Sequence, residues 1–345
     1  MEKHSVILTG SSGFIGSHIA EYFSGRGVRP VCLVRRNSNV DFLRTLPVDI
    51  VYGDITNPAD VLRACDGCAC VIHTAAKVTD WGPYDEFYAV NVGGTLNVME
   101  AATRVGITDV IITGSNSCYG EEDSREIKTE TSPYRSHYRY FLDRWFPSAL
   151  NFYRDTKALA SLIARERALQ HNVNLTTVHP VWVYGEREYH TGFYEYLRTV
   201  RSGIPLFPGS RRNRFHTIYC RNLAKLYYLA YMARLPGVNT FIAADSPAEY
   251  QWVLLDMLCR EAGLKMPFMV PKQVVYPLAC AMELAAMLLQ TRRSPMLTRA
   301  KANIFYDNIE YSSEKARTVL KYQPDYTLEE SVRKTVAWYI DNHLL

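Results

Sequence analysis

The chain has 345 residues, 48% of them hydrophobic and 21% charged, which excludes a disordered, collagenous or coiled-coil architecture and leaves room for about two domains. Lys and Arg number 39 against 35 Asp and Glu, and the net charge of +4 is too small an excess to argue for a nucleic-acid partner.

Residues 5–9 (SVILT) form a short apolar run that meets a glycine loop at once, so they read as a strand and not as the core of a signal peptide. Residues 14–24 follow with helical periodicity and are stopped by Gly25 and Gly27. Further strands are expected at 31–34, 50–52, 69–73, 110–113 and 175–178, with helices at about 86–105 and 156–170. Strands that are apolar throughout, separated by helices, predict a parallel sheet covered on both faces: an α/β, Rossmann-type doubly wound fold. Beyond about Glu186 loops and helices dominate, the latter at 223–234, 252–262 and 274–290. The expected division is a dinucleotide-binding domain over 1–185 and a smaller, mainly helical substrate region over 186–345. Segments near 214–245 are expected to return to the first domain.

Eight cysteines are too sparse for a disulfide framework and fit a reducing, cytoplasmic setting. Cys65, Cys68 and Cys70 could make half a metal site, but no second Cys/His pair answers them; they are expected to be buried and structural, and no metal is expected. The apolar stretch 274–289 is interrupted by Pro277 and Glu283 and is shorter than the roughly 20 residues a spanning helix needs. It is expected to be a buried helix, or one in peripheral contact with a membrane surface.

The loop from Gly10 to Gly16 lies between the first strand and the first helix. Gly10 allows a tight turn, Gly13 lets backbone approach a pyrophosphate, and Gly16 lets helix and sheet pack closely; Ser12, Phe14 and Ile15 complete the loop. At the end of the second strand, where an acid would hold the ribose of NAD, stand Arg35, Arg36 and Ser38. A guanidinium suits a 2′-phosphate, so NADP(H) is expected over NAD(H). Asp54 and Ile55, after the third strand, are expected beside the adenine, with a plain turn role for Asp54 as the alternative.

Tyr153 and Lys157 stand four apart at the opening of a helix, on one face. A free tyrosine, with a pKa near 10, is too weak an acid to work as a base at neutral pH; a nearby ammonium and an oxidised nicotinamide both favour its phenolate. Lys157 is also expected to bond the nicotinamide ribose, so Tyr153 and Lys157 count among the cofactor contacts. The same spacing at Tyr311 and Lys315 is assigned to packing. The selecting partner is Ser115, with Ser117 in reserve, after the fifth strand, where open parallel sheets bind their ligands.

In these motifs the chain resembles the extended short-chain dehydrogenases/reductases. Thr9-Gly10-x-x-Gly13-x-x-Gly16, Asp54, His73-Thr74-Ala75-Ala76, Asn91, Ser115, Tyr153, Lys157 and His179-Pro180-x-x-x-Tyr184-Gly185 fall in family order. The resemblance implies a catalytic triad of Ser115, Tyr153 and Lys157. It implies further cofactor contacts at Thr74, Ala75, Ala76, Lys77, Asn91, Pro180 and Val183, and a homodimer built on the Asn91 and Tyr153 helices. The tail, from Arg293 through Arg299 and Tyr322-x-Pro324 to Trp338, is similar to the 3β-hydroxysteroid and sterol-4-carboxylate dehydrogenase branch.

The expected activity is NADP-dependent interconversion of a secondary alcohol and a ketone on a bulky, apolar small molecule. A nucleotide-sugar enzyme is the alternative, with Arg187, Arg211, Arg212 and Arg214 as phosphate clamps; a third reading is an NADP-binding sensor. Residues 134–153 hold eight aromatics and lead into the Tyr153 helix, so they are expected to cover an apolar pocket. The rival expectation is that these rings pack against the second region or a partner.

Overall fold

The computed structural model describes residues 5–120, 126–189, 192–245, 247–291 and 293–345. Seven strands form the central sheet: β1 (Ser5–Thr9), β2 (Val31–Val34), β3 (Asp49–Tyr52), β4 (Cys68–His73), β5 (Asp109–Thr113), β6 (Asn174–Pro180) and β7 (Val238–Ala243). They run parallel in the order β7-β6-β5-β4-β1-β2-β3. The strands are apolar on both sides because both sides are covered. Ile7, Leu33, Val71 and Val110 pack under the helices Pro58–Cys65, Gly94–Val105 and Ala149–His171. Val6, Leu8, Cys32 and Ile72 pack under Phe14–Ser24 and Cys220–Ala233. The chain's winding reverses between β1 and β4, which opens the crevice where such sheets bind ligands.

All eight cysteines are free and buried. Cys65 and Cys68 belong to one apolar layer and Cys70 to the other, so they do not converge on an ion. Burial pushes the Cys65 thiol up to about 12, as fits an inert side chain.

Two helices differ from the sequence reading. The stretch 86–105 is broken: Tyr84–Phe87 is followed by a wide π-helical turn, Tyr88–Gly93, and then by Gly94–Val105. The buried Asn91 sits in that turn and bonds the Lys77 backbone, a tertiary demand that local periodicity does not encode. The second begins at Ala149, not Thr156, so Tyr153 and Lys157 lie inside it. Its first turn is held by Asn151, whose side chain bonds both N and O of Tyr138.

Beyond β6, a further apolar cluster that includes Leu197, Leu254, Leu258, Val332 and Val336 gathers the helices Gly192–Arg201, Gln251–Glu261 and Leu328–Asp341. The helix Lys272–Leu288 packs on Arg299–Ile304. Among the described residues no helix is long and apolar enough to cross a membrane.

Candidate active site

The loop after β1 is built for a close approach of backbone. Gly10 has φ +71°, and a Cβ there would lie 2.6 Å from the Ala75 nitrogen. A Cβ at Gly16 would lie 2.2 Å from the Gly10 oxygen. Gly13 caps the Phe14–Ser24 helix with no side chain bonding its first N–H groups and no acid in its first turn. Those N–H groups and the helix dipole fit a pyrophosphate.

Arg35 and Arg36 stand exposed past β2 with no acid at ion-pair distance among the described residues, and the Ser38 N–H closes a turn onto the Arg35 carbonyl at 3.0 Å. Asp54 accepts from the Thr56 N–H and hydroxyl through Oδ1, both at 2.8 Å, which is the turn role. Ile55 is buried against Gly94, where a Cβ would come within 2.6 Å of its Cδ1. Past β4, the Thr74 hydroxyl donates to the Thr9 carbonyl at 2.8 Å, and Ala75 and Ala76 follow beside Gly10. Lys77 turns its ammonium to Glu86, 2.8 Å away. Asn91 accepts from the Lys77 N–H at 2.8 Å and donates to the Thr156 hydroxyl at 3.0 Å. Its amide thus ties the loop past β4 to the Ala149–His171 helix.

Ser115 follows β5 and caps the 3₁₀ turn Asn116–Tyr119. Its hydroxyl shares a 2.7 Å hydrogen bond with that of Ser117, so the two serines form one unit. Lys157 is buried and donates to the Thr113 carbonyl at 2.5 Å, two residues before Ser115. Burial lowers its pKa to about 8. Tyr153 lies one turn earlier on the same helix, half-buried.

His179, near the end of β6, is a residue to which sequence reasoning gave no task. It fills the space a side chain at 114 would need: a Cβ on Gly114 would lie 2.4 Å from its Nδ1. Nδ1 lies 3.0 Å from the Ser115 nitrogen and 2.8 Å from its carbonyl oxygen, and Nε2 shares a 3.0 Å hydrogen bond with the Tyr134 hydroxyl. Burial holds the imidazole neutral, its pKa lowered to about 4. Its signal in the sequence was its place in the His179-Pro180-x-x-x-Tyr184-Gly185 motif. Pro180 ends β6, and Val183 lies in a short parallel pairing with Ile218.

The aromatic segment is strapped at several points. His137 bridges Asp155 (2.8 Å), between Tyr153 and Lys157, and Asp143 (2.9 Å). Arg299, fully buried, is paired at 2.7 Å with the equally buried Glu283 and donates to the carbonyls of Phe141 and Phe146. Tyr134 and Tyr140 turn inward, Phe152 packs on Tyr84 and Phe87, and Phe141 and Trp145 are exposed. Several of these rings therefore pack within the molecule, but Tyr134 and Phe152 do so on Tyr119, His179, Tyr84 and Phe87 of the first domain and not on the second region.

The arginines weighed as phosphate clamps are engaged elsewhere or scattered. Arg187 bonds Ser17, His18 and Glu21 of the first helix, Arg211 lies over Trp252, and Arg214 faces Glu310 and Tyr250. His18, Glu186 and Cys220 are close enough to hold an ion, but their atoms are taken. The Glu186 carboxylate accepts from Tyr219, Cys220 and Arg221, while His18 bonds Arg187 and the Glu186 carbonyl.

Residues 6–240 match the NAD dependent epimerase/dehydratase family. Over 343 residues the chain is 26% identical to the 2-alkyl-3-oxoalkanoate reductase of Shewanella oneidensis, spanning 96% of this chain and 85% of that protein. Over 351 residues it is 26% identical to the sterol-4-alpha-carboxylate 3-dehydrogenase erg26, decarboxylating, of Schizosaccharomyces pombe, spanning 98% of each. The crystal structure of gox2253 matches with a TM-score of 0.80 at 23% identity, covering 99% of both chains, which carries the fold. With a seven-stranded parallel sheet, a glycine cradle at its switch point and a family match over most of its length, the chain belongs to the NAD dependent epimerase/dehydratase family and is an NAD(P)-dependent oxidoreductase of the extended short-chain type.

Proposed function

We propose that the protein interconverts a secondary alcohol and a ketone on a bulky, largely apolar metabolite, with NADP(H) preferred over NAD(H). The observation that carries the reading is the bond from Lys157 to the Thr113 carbonyl. It fixes an ammonium at the end of β5, beside Ser115 and one turn from Tyr153. The cofactor, when bound, donates or accepts the hydride. Residues 10–16 would hold its pyrophosphate, and Arg35 and Arg36 would bind a ribose 2′-phosphate. The Ser115 hydroxyl donates to the substrate oxygen, Tyr153 moves the proton on that oxygen, and Lys157 favours the phenolate of Tyr153.

Two supports favour an apolar substrate over a nucleotide sugar. Arg187 is tied into the first helix instead of standing ready for phosphate. Both curated relatives named above act on apolar skeletons, and in both names the reacting oxygen sits β to a carboxyl group. The Asn91 and Tyr153 helices are proposed as the homodimer face. Exposed Tyr84 and Tyr88, beside Phe152, support this.

The test is an NADPH oxidation screen with β-oxo acids and cyclic ketones beside UDP- and dTDP-keto sugars. Turnover of the apolar set is expected, and Tyr153→Phe should cut it by roughly 10²–10⁴-fold while NADPH still binds. Turnover of the sugars alone, or a fully active Tyr153→Phe, overturns the reading.

A further inference from the structure

The helix Lys272–Leu288 has two unlike faces. Inward it sets Val275, Ala279, Glu283 and Ala286, with Glu283 locked to Arg299. Outward it sets Val274, Leu278, Ala281, Ala285 and Leu288, spaced at four, three, four and three, so they form one stripe along the helix. Val274 is 59% exposed, Leu278 53%, Leu288 72% and the following Leu289 77%. Nothing among the described residues covers this stripe, and it exceeds the scatter of single apolar side chains a surface normally shows.

Its surroundings indicate the occupant. From 262 to 306 the sequence holds one acid, the inward Glu283, against six Lys and Arg. Of these, Lys265, seven residues before the helix, and Arg293, five residues after it, have no acid at ion-pair distance among the described residues. Beside the helix lies the aromatic segment: the Phe141 N–H donates to the Tyr276 hydroxyl at 3.4 Å, and Phe141 and Trp145 are exposed. Arg144 between them is exposed, also with no acid at ion-pair distance among the described residues.

An apolar stripe, exposed tryptophan and phenylalanine, and cations that outnumber the acids around them match the boundary of an anionic bilayer. Seventeen residues span about 25 Å, short of the roughly 30 Å of hydrocarbon, so the helix suits lying on a bilayer and not crossing it. We propose that this face docks the protein on an anionic lipid surface, the helix in the plane of the interface and the strapped aromatic segment beside it. The inference builds on the apolar-substrate reading, since such a substrate partitions into lipid and would reach the Tyr153 helix along residues 134–148.

The experiment is flotation of the full-length, NADPH-loaded protein with vesicles of phosphatidylcholine alone or mixed with phosphatidylglycerol. Wild type should float with the mixed vesicles, and Arg293→Glu should weaken that binding. Leu278→Glu combined with Leu288→Glu should weaken it at least about tenfold, at unchanged melting temperature and NADPH affinity. A second readout needs no change to the stripe. Brominated lipid should quench wild-type fluorescence, and Trp145→Phe should remove that quenching. The proposal fails if wild type stays with the dense fraction in both mixtures, if the double variant floats as well as wild type, or if Trp145 is not quenched. It also fails if the double variant halves the sedimenting mass, which would make the stripe a contact between two copies. None of these readouts needs turnover. A failed substrate screen beside positive flotation therefore removes the substrate reading and leaves the surface standing.

Discussion

Lys157 is the residue whose chemistry burial alters most usefully. Its pKa falls from 10.5 to about 8, so the free protein loses the ammonium as pH rises through about 8. The unfolded chain keeps its charge up to about 10.5; the folded state therefore carries the burial penalty in full below pH 8 and sheds it between the two values. Binding has the opposite sign, because only the ammonium attracts the cofactor. NADPH affinity, followed by fluorescence titration, should fall above about pH 8, and in Lys157→Met it should be weaker and insensitive to pH there. Arg35 carries the cofactor preference. A charged hydrogen bond is worth about 1.5–3 kcal/mol, so Arg35→Asp should move the NADPH-to-NADH affinity ratio by at least about tenfold toward NADH. A wild-type protein that already prefers NADH would show that Arg35 has no such task.

At the scale of elements, the segment 134–148 depends on two straps with different physics. The Glu283–Arg299 pair is wholly buried. Arg299→Met alone leaves an uncompensated carboxylate and should cost about 3–5 kcal/mol in urea unfolding, whereas Arg299→Met with Glu283→Leu should recover much of that loss. Equal losses in single and double variants would mean that the guanidinium's bonds to Phe141 and Phe146, not the buried charge, dominate. The His137 strap is half-exposed and titrates. Burial lowers its pKa, but the hydrogen bonds and charges of Asp155 and Asp143 outweigh that and leave it raised above 6.5. Its hold is therefore complete below pH 6.5 and lost as pH rises through the folded value. Amide exchange at 136–146, corrected for its intrinsic pH dependence, should accelerate on that rise in wild type and be fast throughout in His137→Ala. These straps were not legible in the sequence. An aromatic-rich segment announces burial but not its partners, and Arg299 and Glu283 lie more than 130 residues downstream of it. The Gly10–Gly16 cradle and the Tyr153/Lys157 pair were legible, because a strand–glycine–helix turn and a four-residue helical spacing are local patterns. The early start of the Tyr153 helix was not, since Asn151 owes its place to Tyr138.

For the whole molecule, periodicity could find β1 to β6 because burial on both faces makes each strand continuously apolar. It could not give their order. That order follows from the crossovers and from β7, which joins the edge of the sheet beside β6 only after the helix Gly192–Arg201 and the loops behind it have been laid down. This late strand has a consequence for synthesis. While the chain emerges from the ribosome, the apolar layer under Leu223, Leu226 and Tyr227 waits for the helix Cys220–Ala233, and β6 waits with one edge unpaired until residue 243 is out. An open parallel edge over an uncovered face is the kind of species that aggregates or recruits a chaperone. The same topology makes the first half of the chain a poor fragment to express alone, because its sheet is finished by residues that belong to the second.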